Sequence, residues 1–555
     1  MATTLTESDL TGTDLVVLLT IEFAGAKWRF SSRPVEVLDA DGESYAYLGG
    51  LEDLELTDEM DLFSDTPATR SVPIAVIWPS DVAELVALGH DLGAATGELA
   101  LWVDGTTYEE RLVFLDGYVS DPEYGEPEEA VSFSLEENPW DDTNSVLDDS
   151  AVCKDGVTWD GVPDGNEGVL YPLVFGSPGP YTLTDGTAKD SSGSPATVVD
   201  GPGVPYYLII AGHRTVAGET GATVQVYSTE YDEWASCTAV HVEDNQGRMC
   251  TMVDGFDGYF GSLRDTDGDG ATEPWHSDDS FWVSWTGGAG AYSLSANAGI
   301  EGAGDLLEFM LNRTSLRIDR GRVAAAKDYL NQIKVSGYVD EQGSAYDWIK
   351  DTLLPLLPVS MTSGPDGIYP VVYRWDATAK DAVAELIEGP EHGLVREGPI
   401  AYEGRDSLIN EMVISYALRA RTGEYHRTRI ISGDPEYVGL TDYLTSTHAR
   451  QSHLRYGRKA TSFSSDILYD TNSADIICLW KVLAHGFVRR VVTFSADQKW
   501  GWLNKGDIVT VTLDRLHIRG QIGIVRSKQW SLSGFIKLEV VLLEDPVRDL
   551  RLGQV

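Results

Sequence analysis

The stretch Gly97–Val119, GELALWVDGTTYEERLVFLDGYV, shows the pattern that decides the fold of this chain. Two apolar runs, Gly97–Val103 and Arg111–Val119, flank the turn dipeptide Asp104-Gly105. Runs of this length that are bounded by turn residues are typical of neighbouring β-strands. The stretch therefore predicts two strands joined by a short loop.

The same pattern extends over residues 1–140. Further β-like runs occur at Leu15–Phe23, Lys27–Phe30, Ser44–Leu48 and Ser71–Trp78. One amphipathic helix fits Asp81–Leu88 because its apolar residues recur at helical spacing. Residues 1–140 are therefore predicted to form a β-barrel or sandwich with one helix.

The amino-acid composition changes over residues 141–300. Residues 141–200 are rich in Asp, Gly, Ser and Pro, which is typical of long loops. The predicted strands that follow are Tyr206–Ala211, Ala222–Tyr227, Thr238–Val242, Met249–Val253 and Ser280–Ser284. We interpret this region as a loop-rich linker with an inserted β module.

The remaining chain divides into two predicted domains. Residues 301–400 form an α+β middle domain with helices predicted at Gly304–Asn312, Arg320–Gln332, Ser344–Leu354 and Ala379–Glu388, and a strand at Gly367–Arg374. Residues 401–555 form a barrel-like β domain with strands predicted at Met412–Ala420, Tyr425–Ile431, Val491–Phe494, Asp507–Leu513, Gly523–Trp530 and Lys537–Leu543, and a helix at Ala474–His485. The expected fold class is mainly β with α+β portions, and multidomain, since 555 residues exceed what one core supports.

The net charge is −47, and it is unevenly distributed. Residues 1–150 carry 34 acidic and 5 basic residues, whereas residues 401–555 carry 17 acidic and 21 basic residues. The acidity argues against sequence-specific nucleic-acid binding, because affinity for phosphates depends on Lys and Arg. Solubility or adaptation to salt is the alternative explanation, although a uniform adaptation to salt does not predict a basic last quarter.

Cysteine use and apolar runs point to a chain made in a cytoplasm. The four cysteines form no CxxC pair, so a zinc site is not expected, although Cys237 and Cys250 could pair. The first residues lack the basic region of a signal peptide. No apolar run approaches the ~20 residues of a membrane helix, so no membrane insertion is expected.

The sequence contains no motif of a known catalytic mechanism in a strand–turn–helix context. The ten histidines are scattered, and His448 and His453 lie near Arg450 and Arg455, which suggests a basic surface or interface. No catalytic residue and no cofactor other than a metal ion is therefore predicted.

One segment resembles a calcium loop. Asp265, Asp267 and Asp269 are followed by Gly270, and Glu273 stands at the ninth position, as in loops that curl oxygen ligands around Ca2+. The twelfth position is His276 instead of the usual bidentate Glu, although Asp278 or Asp279 could substitute. The alternative is an acidic turn held by Asx turns.

Four stretches carry a family resemblance: LGGLEDLELTDEMDLFSD (48–65), EGVLYPLVFGSPGP (167–180), residues 303–383 with AGDLLEFML and DRGRVAAAKDYLNQIKV, and residues 410–548 with YALRARTGEYHRTRII and GWLNKGDIVTVT. Together they resemble the tail-tip hub proteins of long-tailed phages and the baseplate hubs of gene transfer agents. The resemblance covers about two-thirds of the chain and excludes the module near 185–300.

The resemblance implies a structural virion protein at the tail tip. Such a hub forms a homotrimer whose barrel domains make a pseudo-sixfold ring that closes the tail tube. Its expected partners are the distal tail protein ring, the tape measure protein and a central tail fibre or spike. The acidic first part of the chain would then line a lumen that repels DNA during ejection.

Two alternatives remain open. A distal tail ring or fibre-attachment protein would share the same setting but differ in stoichiometry. A tail-associated cell-wall or polysaccharide hydrolase is the enzymatic alternative, and no peptidase or lysozyme-like pattern favours it. The aromatic residues of the inserted module could stack on sugars or lie in its core: Tyr206, Tyr207, Trp234, Trp275, Trp282 and Trp285.

Overall fold

The computed structural model describes residues 15–51, 54–60, 70–77, 80–124, 130–137, 142–163, 165–178, 194–201, 204–260, 280–285, 293–295, 298–364, 366–374, 376–419, 422–434, 436, 442–531 and 535–543. These residues confirm the predicted fold class, since the chain is mainly β and multidomain. Among them, no helix is both long and apolar enough to span a bilayer.

The first domain is an eight-stranded sheet that curls on itself. Its elements are β1 (Leu15–Phe23), β2 (Ala26–Ser31), β3 (Val35–Leu38), β4 (Ser44–Gly49), β6 (Arg70–Ile77), α1 (Ser80–Ala87), β7 (Thr96–Val103), β8 (Leu112–Tyr124) and β9 (Ala130–Glu137), with β5 (Glu55–Glu59) outside this sheet. The strand order is β3-β4-β2-β1-β7-β8-β9-β6. Ile77 N at one end donates to Gly50 O at the other, over 3.0 Å. We call the curled sheet the N-terminal barrel.

The inserted module contains a closed six-stranded barrel. Its elements are β10 (Leu173–Phe175), β11 (Ser194–Gly201), β12 (Val204–Ala211), α2 (Val216–Thr220), β13 (Thr223–Ser228), β14 (Glu233–Glu243), β15 (Met249–Asp254), α3 (Phe256–Phe260), β16 (Phe281–Ser284), β17 (Ser293–Ser295) and β18 (Ala298–Gly299). Strands β11 to β16 close the barrel in the order β11-β12-β15-β14-β13-β16. The chain enters and leaves this module at neighbouring points, because Gly176 N donates to Ile300 O over 2.8 Å.

The middle domain begins with helices and short strands. They are α4 (Ala303–Leu311), α5 (Arg320–Leu330), β19 (Gly337–Val339), α6 (Ala345–Trp348), a π turn (Ile349–Leu353), β20 (Val359–Gly364) and β21 (Gly367–Val372). Strand β19 pairs with β10 and fastens the inserted module. Helix α5 begins where Asp319 accepts a hydrogen bond from Arg322 N, which satisfies an otherwise free backbone donor.

The last part of the chain supplies two different sheets. Its elements are β22 (Ala384–Ile387), β23 (Leu394–Arg396), β24 (Ala401–Glu403), β25 (Glu411–Arg419), β26 (Glu424–Ser432), β27 (Tyr443–Thr445), α7 (Thr447–Tyr456), β28 (Ala460–Ser464), α8 (Thr471–His485), β29 (Arg489–Asp497), β30 (Ile508–Leu513), β31 (Ile518–Ser531) and β32 (Phe535–Leu542). Strands β25 to β28 form a four-stranded sheet whose residues share one core with the helices of the middle domain. The other strands form a second curled sheet.

This second sheet has the order β22-β30-β31-β32-β29-β23. It closes because Gly389, which follows β22, and Leu394, which begins β23, exchange two backbone hydrogen bonds of 2.8 and 3.2 Å. We call it the C-terminal barrel. The strands predicted between residues 410 and 545 are therefore shared between the middle domain and this barrel.

One predicted helix is wrong, one helix was not predicted, and the suggested cysteine pair does not form. The helix predicted at Ala379–Glu388 is wrong, because Ala384–Ile387 is a strand that pairs in parallel with β30 and buries Leu386. Helix α7 was not predicted, because it lacks apolar residues at helical spacing. Of the cysteines, Cys237 and Cys250 do not pair; all four thiols are free and buried.

Candidate functional site

The feature that unites the two ends of the chain is a strand contributed by one barrel to the other. Strand β5 lies between β4 and β6 in the sequence, but it pairs antiparallel with β31 of the C-terminal barrel. The register places Thr57 opposite Gln529, and Met60 N donates to Arg526 O over 3.1 Å. We call this pairing, Glu55–Glu59 with Ser527–Ser531, the barrel joint.

Along β31 of the C-terminal barrel, strand β5 takes the place that β30 occupies further back. The first half of β31 pairs with β30 as far as Ile524, and the second half pairs with β5 from Ser527 onward. The changeover lies at a bulge between Val525 and Ser527 in the pairing with β32. A bulge bends a strand and increases its twist, which lets one long strand serve two neighbours in turn.

Arg526 stands at this changeover and holds two carboxylates. Its Nη2 donates to Glu539 Oε2 over 2.6 Å, and its Nη1 donates to Glu403. Burial alone would lower the pKa of Arg526, but the hydrogen bonds that it donates to Glu539 and Glu403 raise it above its ordinary value. The guanidinium therefore stays charged and ties β24 and β32 to β31 where the N-terminal strand begins to pair.

A continuous apolar core runs beneath the joint. Buried residues of both barrels belong to one cluster, which includes Leu54 and Leu56 from the N-terminal part and Trp530 and Ile536 from the C-terminal part. Shared burial of this kind resists separation of the two barrels, because parting them would expose apolar surface to water. The two barrels are thus packed as one body.

A buried lysine fixes the loop beside the joint. Lys528 Nζ donates to the backbone oxygens of Gly501 and Leu503, each over 2.7 Å, and only 5% of the residue is exposed. Its ammonium also lies 5.3 Å from the ring centre of Trp530. Hydrogen bonds to a buried charge are among the stronger ones in proteins, so this lysine is a structural clamp.

The proposed calcium ligands are not among the described residues. Asp265, Asp267, Asp269 and Glu273 fall within 261–279, and the calcium site stays a prediction. Within the described part of the chain, no group of three or more His, Cys, Asp or Glu side chains is arranged to hold a metal ion.

The middle domain contains an acidic cleft of about 470 Å³. Its walls include the carboxylates of Asp340, Glu341, Asp347 and Asp351 beside the ring of Trp348. We assign no chemistry to this cleft, because its described carboxylates are not arranged to hold a metal ion.

The aromatic residues of the inserted barrel have different surroundings. Trp285 is buried, and its Nε1 donates to Ser194 Oγ over 2.8 Å. Tyr206, Tyr207, Trp234 and Trp282 are half-buried, and Trp275 lies outside the described residues. Trp285 is therefore a core residue, as one of the two interpretations predicts.

The two histidines of the predicted basic surface both lie on α7. His448 is buried against Phe487, with ring centres 4.6 Å apart, so it does not belong to a surface. Arg450 and Arg455 are exposed on the same helix. The exposed cations, not the histidines, make this helix basic.

Comparison with known proteins identifies neither a family model nor a curated protein that matches this chain. Several solved structures are similar to it. A tail protein from Neisseria meningitidis MC58 is 9% identical, with 95% of this chain and 97% of that chain covered and a TM-score of 0.34. The prophage tail protein gp18 from Listeria monocytogenes EGD-e is 8% identical, with 97% of both chains covered and a TM-score of 0.31.

A third similar structure is a chain of the virion of a native gene transfer agent particle. It is 11% identical, with 71% of this chain and 89% of that chain covered and a TM-score of 0.32. These three structures are tail and virion proteins, and at these TM-scores they carry no assignment of role.

Proposed function

We propose that this chain is a structural protein of a phage tail, and more narrowly the hub that closes the distal end of the tail tube. In this role it forms a homotrimer at the tail tip and contacts the distal tail protein ring, the tape measure protein and a central fibre or spike. The observation that supports the proposal is the barrel joint, which makes one rigid pair of barrels from the two ends of the chain.

A rigid pair of barrels suits a ring of mixed symmetry. Three copies of a two-barrel body supply six barrels, which match a sixfold tube on one side while keeping threefold symmetry for a central fibre on the other. The order of the segments that resemble the hub family agrees with this arrangement, because the resemblance includes both β5 and β31.

The acidic N-terminal region supports a role in DNA passage. Residues 1–150 have a net charge of −29, and a carboxylate-lined wall repels phosphates instead of binding them. We propose that the carboxylates of this region outside the β3–β4 hairpin face the lumen of the assembled ring. Carboxylates found on the outer wall of an imaged ring, around a neutral or basic lumen, would disprove this part of the proposal.

The stoichiometry of the purified chain and of the intact particle tests the function. Light scattering should give the mass of a trimer, and images of the particle should place three copies at the tip of the tail. A hexamer would instead support the distal ring, the second candidate. A protein that is absent from the particle would contradict any structural role in the tail.

The enzymatic alternative has its own test. The purified chain should give no lytic band in a gel that contains cell-wall material or capsular polysaccharide. A clear band that disappears on heating would favour a hydrolase.

The calcium site can be tested by titration calorimetry. Binding of Ca2+ by the intact chain, lost in Asp267→Ala and retained in Asp254→Ala on strand β15, would support the predicted loop. No heat above that of buffer would end the calcium proposal.

A further inference from the structure

A basic segment interrupts this acidic chain. From Tyr443 to Ser465 there is no Asp or Glu, whereas Arg450, Arg455, Arg458 and Lys459 all occur there. The rest of the chain contains 88 acidic and 37 other basic residues, so a run of this kind marks a local reversal of sign. The segment comprises β27, α7 and β28.

Helix α7 exposes basic side chains to solvent. Ser446 caps its first turn, and His448, Ala449 and Ser452 are buried. The opposite side exposes Arg450 and Leu454, whereas Arg455 is exposed in the last turn and Lys459 just after the helix. Residues three and four apart share one side of a helix, so Thr447, Arg450 and Leu454 form one row.

Two properties make this side unusual. Leu454 is 79% exposed, more than other large apolar residues in the described part of the chain. Within that part, Arg450, Arg455 and Lys459 form no ion pair, whereas Arg458 pairs with Glu411. We call Arg450, Leu454, Arg455 and Lys459 the basic face.

A second surface has the complementary character. The β3–β4 hairpin, Val35–Gly49, contains no basic residue and exposes Glu36, Asp41 and Glu43. It also exposes Leu38 and Leu48, at 52% and 51%. We call these five residues the acidic hairpin.

The hairpin is held in place by its own small core. Val37 and Tyr47 are buried against β1 and β7 with Trp102, and Tyr47 Oη lies 3.1 Å from Thr20 Oγ1. Its exposed side therefore has a defined shape to offer a partner. The basic face belongs to a different body, since α7 packs into the core of the middle domain.

We propose that the basic face of one copy docks on the acidic hairpin of a second copy of this chain. The two surfaces have opposite charge, and charge complementarity orients an interface. Both also expose leucine side chains, and apolar residues provide the buried centre of an interface. Two different surfaces on one chain make a head-to-tail contact, which closes into a ring when the rotation fits. The inference rests on the proposed function, for which it names the contact between subunits.

A nucleic acid is the other possible partner for a basic face. Phosphates would engage Arg450, Arg455 and Lys459, but they offer nothing to Leu454. The acidic hairpin would have no counterpart in such a complex. The second copy therefore accounts for both surfaces.

Charge reversal on each surface tests the docking. The basic-face variant is Arg450→Glu/Arg455→Glu/Lys459→Glu, and the hairpin variant is Glu36→Lys/Asp41→Lys/Glu43→Lys. Each should weaken self-association by about a hundredfold, because like charges then oppose each other across the contact. The combined variant restores opposite charges and should recover association to near the wild-type level.

The control variant reverses three exposed cations elsewhere, Lys380→Glu/Arg405→Glu/Lys537→Glu. It changes the net charge by the same amount as the basic-face variant and should leave self-association unchanged. Sedimentation velocity over a range of concentrations gives the association constants, and circular dichroism establishes that each variant is folded.

The outcomes separate this inference from the function on which it rests. If the wild-type chain forms trimers and both charge-reversed variants form them equally well, the proposed docking surfaces are wrong and the hub proposal still stands. Association lost in both variants but not recovered in the combined variant would also overturn the pairing. A wild-type chain that stays monomeric throughout would overturn the hub. Retention on a DNA column that the basic-face variant loses, with its trimer intact, would assign the face to nucleic acid instead.

Discussion

Leu56 and Trp530 lie directly opposite each other across the barrel joint, 2% and 4% exposed respectively. One belongs to a strand of the N-terminal part of the chain and the other to the last long strand, 474 positions later. Both residues belong to the apolar core that the two barrels share.

Leu56→Ala should lower the free energy of unfolding by about 2–5 kcal/mol, because it removes buried methyl groups and leaves a cavity beneath Trp530. Urea denaturation followed by tryptophan fluorescence measures the change. The matched control is Leu88→Ala, just after α1, which is 78% exposed and should change stability by less than about 0.5 kcal/mol. Equal effects of the two substitutions would contradict a shared core.

Lys528→Met should cost about 2–4 kcal/mol, because it leaves the carbonyl oxygens of Gly501 and Leu503 without their charged donor. The same denaturation experiment measures it. Lys537→Met on the neighbouring strand is the control, since Lys537 is exposed and its loss should be nearly neutral. A stable Lys528→Met protein would show that the clamp contributes nothing.

Gly501→Ala should destabilise the chain by about 1–3 kcal/mol through overpacking. A Cβ at position 501 would lie 2.0 Å from Cη2 of Trp530, a rigid ring that is itself buried. The thermal midpoint should fall, as measured by calorimetry. Gly343→Ala, where a Cβ meets nothing within 4 Å, should leave the midpoint unchanged, and a similar fall in both variants would contradict the packing argument.

Stability should decrease as the pH falls from about 6.5 to about 4, in part because of His213. Burial lowers the pKa of His213 to about 4, and the nearby charges of Arg313 and His241 act in the same direction, against hydrogen bonds to Arg214 O and from Val174 N. The unfolded chain therefore binds a proton at a higher pH than the folded chain does, so acid favours unfolding. The contribution is on the order of 1–2 kcal/mol, since the side chain is only partly buried.

The variant His213→Gln keeps an acceptor for Val174 N but does not titrate. Its stability should fall less steeply over the same pH range, as measured by urea denaturation at pH 7 and pH 4.5. An unchanged slope in His213→Gln would show that His213 does not contribute to the loss of stability in acid.

Sequence patterns predict most helices and strands of this chain, because their signals are local. Helices at Ala303–Leu311, Arg320–Leu330 and Thr471–His485 begin within three residues of the predicted positions, since apolar spacing and capping residues lie within each segment. The failure at Ala379–Glu388 has a tertiary cause. Its residues favour a helix, but parallel pairing with β30 and the burial of Leu386 outweigh that local preference.

The barrel joint could not be predicted from periodicity. Strand β5 has the sequence ELTDE, in which Leu56 is the one apolar residue, so nothing marks it as a strand with a buried side. Its partner is distant in the chain, and local patterns contain no information about such a pairing. The basic face was partly visible, because the clustered Arg450 and Arg455 suggested it, but burial of His448 is a property of the folded helix.

The hydrogen bond between Gly176 and Ile300 has a consequence for how such chains diversify. Because the two ends of the insertion are already adjacent, a genetic exchange that replaces the intervening segment leaves the flanking backbone almost where it was. The rest of the chain then keeps its folding and its neighbours while the replaced segment acquires a new surface. Recombination can therefore replace this module as a unit without displacing the backbone on either side of it.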